Sequence, residues 1–523
     1  MIPACFEPEP MGRLLRALSA AALLSAAPAC GGEEASPRAP SAGRPSVLIL
    51  SIDTLRADHL GCYGYAPYAA PVSPAIDQFA QEALLFERCF APRGQTGPSL
   101  SSMLTGCYPS THGVLDNFHA LRPGLPLLPR LLAADGYATH AFLSFFPIAK
   151  AAKASLGFER GDPGLGSFHE AKPRQPDGPQ SAWDDAAEQG FLRFLRGRAR
   201  GAAPFFAWVH FYDVHGPYRA PLPFGEQFVG DYRGPLRMAS GQDEGTFERV
   251  VRPHLNERIV ARAPLTAEDA RYVVALYDGG IRATDERIGR ILRALDECGV
   301  ARDTIVVLTA DHGEELGEHN HFWFHGNSVY DSVLRIPLIV RGPGVVPGRR
   351  GELIQNVDLL PTLLAFLGAG VPDGIDGISF AAELRGARAD ARRRAIAWSE
   401  WEHLILGARS DRWKLLFNPH GARPKKPPYD DPRDPGYLVD CHELYEVSVD
   451  AAEARNVWSG RKGDVAELRA LVEAEHARRF AGLLPPVVDA ILDPVERERL
   501  QRLGYTAGDA ADYVLDPSAC EDD

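Results

Sequence analysis

Apolar positions along the chain fall into two textures, and each predicts a different element. Residues 47–52 (VLILSI) form a short, continuous, β-branched run, the pattern of a strand buried on both faces of a parallel sheet. Residues 138–144, 205–211, 304–309 and 336–340 are further strand candidates. Between them the period becomes helical. Residues 267–295 set Val274, Ala275, Ile281, Ile288, Ile291 and Leu292 on one face. Ser73-Pro74 opens another helix, with Ile76, Phe79, Ala80 and Ala83 as its apolar face. Strands alternating with helices predict a doubly wound α/β domain whose site lies at the carboxyl ends of the strands. Residues 161–200 and 220–263 have weak periodicity and many Gly, Pro and charges, and read as insertions near a substrate rim. Past residue 391 the texture changes again. A hairpin over 408–416 and a short strand and turn over 443–456 predict a small C-terminal α+β subdomain spanning 391–523.

The start of the chain reads as an address. Arg13 and Arg16 accompany an apolar run, 14–27, that ends in small residues at Ala27-Pro28-Ala29-Cys30-Gly31-Gly32. This is the order of a secretory leader over 1–30, too short to span a bilayer and stay. Its end resembles a bacterial lipobox with Cys30 as the lipid-bearing residue; simple cleavage near Ala29 is the alternative. Residues 31–45 follow as a Gly/Ser/Pro/Ala-rich tether, and the catalytic domain is expected over 46–390. The expectation is an exported protein, periplasmic or at the outer membrane of a bacterium, meeting the membrane through a lipid anchor only.

Composition narrows the class. A hydrophobic fraction of 45% and a charged fraction of 24% exclude a disordered, collagenous or polytopic membrane chain. A net charge of −13 argues against a nucleic-acid partner, which needs a basic footprint. Eight cysteines with no C-x-x-C pair exclude a disulfide scaffold, a zinc ribbon and a thioredoxin-type site.

Four segments carry candidate chemistry. Asp53 follows the first strand and Asp311-His312-Gly313 follows the strand at 304–309, so both carboxylates land on one sheet edge, where two Asp and a His suit a divalent cation. Pro98 and Ser99 can start a helix that Gly106 ends, setting Thr96 at a helix N-terminus whose free N–H groups favour an oxyanion. Taken alone, Thr96 reads as a helix cap ahead of a nucleophile. His215 leaves the strand at 205–211, and His319, His321 and His325 crowd the segment after Asp311.

Taken together, the segments resemble the sulfatase family of the alkaline phosphatase superfamily. Residues 51–64 (SIDTLRADHLGCYG) are similar to its opening motif, and 96–109, with Leu104-Thr105-Gly106 and Tyr108-Pro109, to its nucleophile signature. Asp311-His312-Gly313-Glu314 with Gly317-Glu318-His319 resembles its second metal motif, and 336–340, 357–362 and Glu443-Leu444-Tyr445 with Asp450 and Asn456 resemble later landmarks. The resemblance implies a mixed sheet of the alkaline phosphatase/sulfatase type. It implies a divalent metal ion (Mn, Zn or Ca) held by Asp53, Asp311 and His312, with Thr96 completing the core. It also puts His215 and His325 on the far side of the substrate; His325 stands where many relatives carry Lys, so its charge would depend on pH. A second ion on Asp213, His215 and His325 is the alternative arrangement.

Two departures bear on the chemistry. Thr96 stands where relatives carry the Cys or Ser converted to formylglycine, and Leu100 stands at the motif's Arg, so no formylglycine is expected. The Lys-x-His pair also has no counterpart around 139–147. A Thr hydroxyl at a helix N-terminus beside a divalent cation remains a competent nucleophile. The function implied is hydrolysis of a sulfate or phosphate/phosphonate ester, on a small anionic ester or on a sulfated or phosphorylated glycan or lipid. An envelope phospho-group transferase and a non-catalytic binding protein are the alternatives on the same fold.

Overall fold

A computed structural model of the chain describes residues 43–117, 119–144, 157–158, 167–170, 181–199, 201–216, 218, 220–237, 266–320, 322–326, 328–388, 396–401, 405–419, 423–424, 442–480 and 513–514. The leader and Cys30 lie outside these residues.

An eight-stranded sheet carries the fold. Its strands are β1 (Ser46–Ile52), β2 (Leu84–Phe90), β3 (Ala138–Leu143), β4 (Ser167–Glu170), β5 (Phe205–Phe211), β6 (Thr304–Ala310), β7 (Arg335–Arg341) and β8 (Gly348–Gln355). Their spatial order is β8-β2-β7-β6-β1-β5-β3-β4. Only β7 runs against its neighbours, so the sheet is mixed. All seven side chains of β5 and of β6 are buried, as continuous apolar runs require at the centre of a two-sided sheet. The register pairs Ile52 with both Phe211 and Ala310, so β1, β5 and β6 end level. Asp53, Tyr212 and Asp311 therefore follow at one edge.

The five expected strands form close to their sequence bounds. Strands β2 and β8 show no continuous apolar run in the sequence, because Glu87-Arg88 breaks that of one and the other is a half-exposed edge. Helix α1 (Pro74–Gln81) buries Ile76 and Phe79, and α2 (Thr96–Thr105) ends at Gly106 in the left-handed region with φ 72°.

The reading of 161–200 as an insertion needs correction. It contains α3 (Ser181–Arg196), which packs on β3, β5 and the long helix α4 (Ala267–Glu297). Asp184 and Glu188 share its inward side with Ala187, Phe191 and Leu195. Polar residues stand there because the Glu188 carboxylate accepts from Arg290 of α4 (2.6 Å) and Asp184 accepts the Tyr212 and Asp213 N–H groups (2.8 and 2.9 Å). They mask the helical period.

Toward the C-terminus, β9 (Ala397–Trp401), β10 (Ile405–Arg409), β11 (Lys414–Phe417) and β12 (His442–Tyr445) form an antiparallel sheet. The hairpin turns at Ser410–Trp413 as expected, its Ser410 N–H donating to the Trp413 carbonyl (2.8 Å). Helix α5 (Leu359–Phe366) packs on α2, and α6 (Ala466–Phe480) lies across β10 and β11. No helix among the described residues is long and apolar enough to cross a membrane.

His112 locks the segment that follows α2. Its Nδ1 accepts the Val114 N–H (3.0 Å), so Nε2–H is the donor, to the Pro98 carbonyl at 3.2 Å. Burial pushes its pKa down to about 3. Between there and about pH 6.5 the unfolded chain holds one more proton at this site, so folding stability falls as pH is lowered through that window. His112→Gln should cost stability at pH 7 yet flatten the loss between pH 6.5 and 4. Denaturation midpoints across the window would check it, and an unchanged slope would refute it.

Candidate functional site

Each site residue hangs from the carboxyl edge of the sheet. Asp53 follows β1, Asp311 and His312 follow β6, and Thr96 is the first residue of α2, reached from the end of β2. All four are fully buried. Asp311 Oδ1 accepts the N–H groups of His312 (2.8 Å) and Thr54 (3.2 Å), which leaves Oδ2 to face His312 Nε2 at 3.3 Å. Thr54 holds this position with φ 55°, a left-handed conformation costly for a β-branched residue. The surroundings clamp it: Tyr277 of α4 donates its hydroxyl to the Thr54 carbonyl (2.7 Å) and accepts the Arg56 N–H (2.9 Å).

The Asp53 carboxylate is the least satisfied group in this cluster. Neither oxygen has a hydrogen-bond partner, and Asp311 Oδ2 has none either. Burial and the neighbouring Asp311 carboxylate push the Asp53 carboxyl well above its usual range. Two buried carboxylates with bare oxygens facing imidazole nitrogen fit a divalent cation, which would replace the missing partners. Atoms of Asp53, His210 and Asp311 lie within 4.8 Å of one another, while His312 Nε2 is 3.8 Å from Asp53 Oδ1 and 3.4 Å from Thr96 Oγ1. Asp53, Asp311, His312 and Thr96 thus lie side by side at the strand ends. His210 was not anticipated; the one signal for it is a single polar residue inside the apolar run FFAWVHF.

Beside this cluster, the His312 and His325 rings stack at 4.5 Å, and His325 meets His215 edge-on at 5.0 Å. The ring nitrogens are sorted by their neighbours. His312 Nδ1–H donates to the Gly313 carbonyl (2.9 Å) and His215 Nδ1–H to that of Gly216 (2.6 Å), leaving Nε2 as the working nitrogen of each. His325 Nδ1 lies 2.8 Å from Glu314 Oε1. Burial pushes His215 down to about 3, His325 down to about 4 and Glu314 up to about 7. His325 is therefore neutral near pH 7 rather than a stand-in for a lysine charge.

Asp213 does not join them. Its carboxylate pairs with Arg287 of α4 at 2.9 Å, so the alternative metal set of Asp213, His215 and His325 is not assembled. Leu100, at the motif's Arg position, lies in the core. Asn117 was also missed: its Oδ1 accepts the Gly97 N–H at 2.7 Å, and its buried amide nitrogen has no hydrogen-bond partner, a neutral donor beside the first turn of α2.

Comparison with known proteins identifies the family. The profile of the family described as Sulfatase matches residues 45–369, and that of the N-sulphoglucosamine sulphohydrolase C-terminal region matches 317–476. The N-acetylglucosamine-6-O-sulfatase of Bacteroides thetaiotaomicron is 25% identical over 501 residues, covering 81% of this chain and 84% of that protein. Iduronate 2-sulfatase of Homo sapiens is 27% identical over 404 residues, covering 65% and 72%. The structure of the phosphonate monoester hydrolase of Agrobacterium radiobacter superposes with a TM-score of 0.61 at 23% identity, covering 90% of this chain and 100% of that one, a likeness of fold.

Gly313 allows the close approach that this site needs. A Cβ there would sit 2.4 Å from the Ser332 carbonyl oxygen and 3.1 Å from Arg56 Cγ. Gly313→Ala should destabilise the fold by about 1–3 kcal/mol through overpacking. Thermal unfolding measures this; a wild-type melting temperature would count against it.

Proposed function

The chain belongs to the sulfatase family and is a sulfuric or phosphoric ester hydrolase, and on that premise we propose a metal-dependent mechanism with Thr96 as nucleophile. The carrying observation is the 3.4 Å approach of Thr96 Oγ1 to His312 Nε2 within the Asp53–Asp311 cluster. A divalent ion held by Asp53, Asp311 and His312 would lower the pKa of the Thr96 hydroxyl and offset charge on the transferring group. The first turn of α2 adds its N–H dipoles at the same oxygen. Thr96 Oγ1 attacks the phosphorus or sulfur, a Thr ester forms, and the bond to the leaving oxygen breaks; water then hydrolyses the ester. His215 and His325 rest neutral, so either must accept a proton at Nε2 before giving one to the leaving oxygen. The proton released by Thr96 balances that demand.

The substrate favoured by the relatives' names is a sulfated glycan. Leu100 in place of Arg, and a nucleophile that cannot become formylglycine, tilt the choice toward a phosphate or phosphonate ester. Export with lipidation at Cys30 completes the proposal. Mass spectrometry of the mature N-terminus tests it, and an unmodified residue at or beyond Gly31 would refute the anchor.

Turnover of nitrophenyl sulfate, phosphate and phosphonate esters with added Mn²⁺, Zn²⁺ or Ca²⁺ is the direct test. Thr96→Ala should lose at least about a thousandfold in kcat. Asp311→Ala should lose the ion by metal analysis, and full retention would rule out the metal assignment.

A further inference from the structure

The β5 run carries one polar side chain, His210, which the mechanism above leaves unused. β1 and β5 are parallel with Ser51 paired to His210, so the two side chains stand together on one face. Period two adds Asp53 beyond Ser51 and Trp208 before His210 on that same face. The contacts follow from this register. Trp208 Nε1–H donates to Ser51 Oγ at 2.7 Å, Ser51 Oγ lies 2.8 Å from His210 Nδ1, and His210 Nε2 is 3.6 Å from Asp53 Oδ2.

We propose that His210 binds the metal through Nε2, giving a centre of two imidazoles and two carboxylates beside Thr96, and that this donor set selects Zn²⁺-class ions over Ca²⁺. The inference rests on the metal centre of the proposed function and extends its ligand set.

The spacings carry the argument. His210 Nε2–Asp53 Oδ2 is 3.6 Å, His312 Nε2–Asp53 Oδ1 is 3.8 Å and His312 Nε2–Asp311 Oδ2 is 3.3 Å. An imidazole N–H bonded to a buried carboxylate closes to about 2.7–2.9 Å. Two ligand atoms each about 2.0–2.1 Å from a shared ion, at angles between tetrahedral and trigonal, stand about 3.3–3.6 Å apart; the 3.3 and 3.6 Å pairs match this, and the 3.8 Å pair opens the angle at the ion beyond trigonal. Longer O–metal bonds and six to eight oxygen ligands are what Ca²⁺ prefers, whereas imidazole nitrogen suits Zn²⁺.

Ser51 makes the required tautomer available. Its oxygen has two lone pairs and accepts from both Trp208 Nε1–H and His210 Nδ1–H, which frees the Nε2 lone pair for the ion. Without metal, the Ser51 hydroxyl turns to donate to Nδ1 and the ring proton sits on Nε2. Binding exchanges one neutral tautomer for the other, with no net proton released by His210.

Proton NMR of the full chain loaded with Co²⁺ tests this apart from turnover. Two hyperfine-shifted imidazole N–H signals, lost in D₂O, are expected from His312 Nδ1 and His210 Nδ1. His210→Gln should remove one and weaken Zn²⁺ binding at least about tenfold in a chelator competition, with Ca²⁺ binding little changed. Ser51→Ala should keep both signals and speed the exchange of one with water, which identifies the His210 signal even if His210→Gln fails to fold. A single signal in the wild-type protein overturns the role of His210 and leaves the metal centre standing. Failure to bind Co²⁺ overturns the centre itself, and this inference with it.

Discussion

Two carboxylates buried at the ends of adjacent parallel strands set the main constraint on this structure. Asp53 and Asp311 lie level because Ile52 and Ala310 are paired, and both are sealed from water. Like charges in such a place repel and lack solvation, so they persist only where other groups hold them and positive charge can meet them. The surrounding chain is shaped to that end. Thr54 takes a left-handed backbone to bring its N–H to Asp311, Tyr277 clamps that turn from α4, and Gly313 lets the helical turn at Ser332, just before β7, approach within contact.

The imidazoles are ordered by a shared device. Backbone carbonyls next in sequence take the Nδ1 protons of His312 and His215, and the Glu314 carboxyl faces Nδ1 of His325. The working edge of each ring is thereby set without a long-range partner. Burial keeps His215 and His325 neutral near pH 7, so each ring offers a base rather than an acid.

The C-terminal sheet is joined to the site by buried charge. Lys414 of β11 pairs with Asp331 (2.8 Å) and with Glu453 (2.6 Å), while the Glu453 carbonyl accepts from His319 Nε2 (3.0 Å) in the segment leading to His325. Tyr330 stacks on His319 and donates its hydroxyl to Glu443 of β12 (2.9 Å). Removing one partner would leave a charge buried, which is more costly than any net gain from the pair itself.

The central strands, the long helix and the sequence positions of Asp53, Thr96, His215, Asp311, His312 and His325 were legible in the chain. Local signals carry the elements, Asp53 and Asp311: continuous apolar runs, helical periods, Pro and Gly at helix ends, and polar residues placed directly after strands; the family resemblance of whole motifs is what grouped Thr96, His215, His312 and His325 with them. Strands β2 and β8 and helix α3 were not legible, because Glu87-Arg88, an exposed edge and the inward Asp184 and Glu188 break those periods for reasons that lie in their partners. The tertiary structure alone decided that Asp213 turns to Arg287, that Leu100 fills the core, and that His210 stands beside Ser51 opposite Asp53. Those outcomes depend on the register between neighbouring strands and on which helix packs behind them, and pairing across the sheet is a property that no single segment of sequence contains.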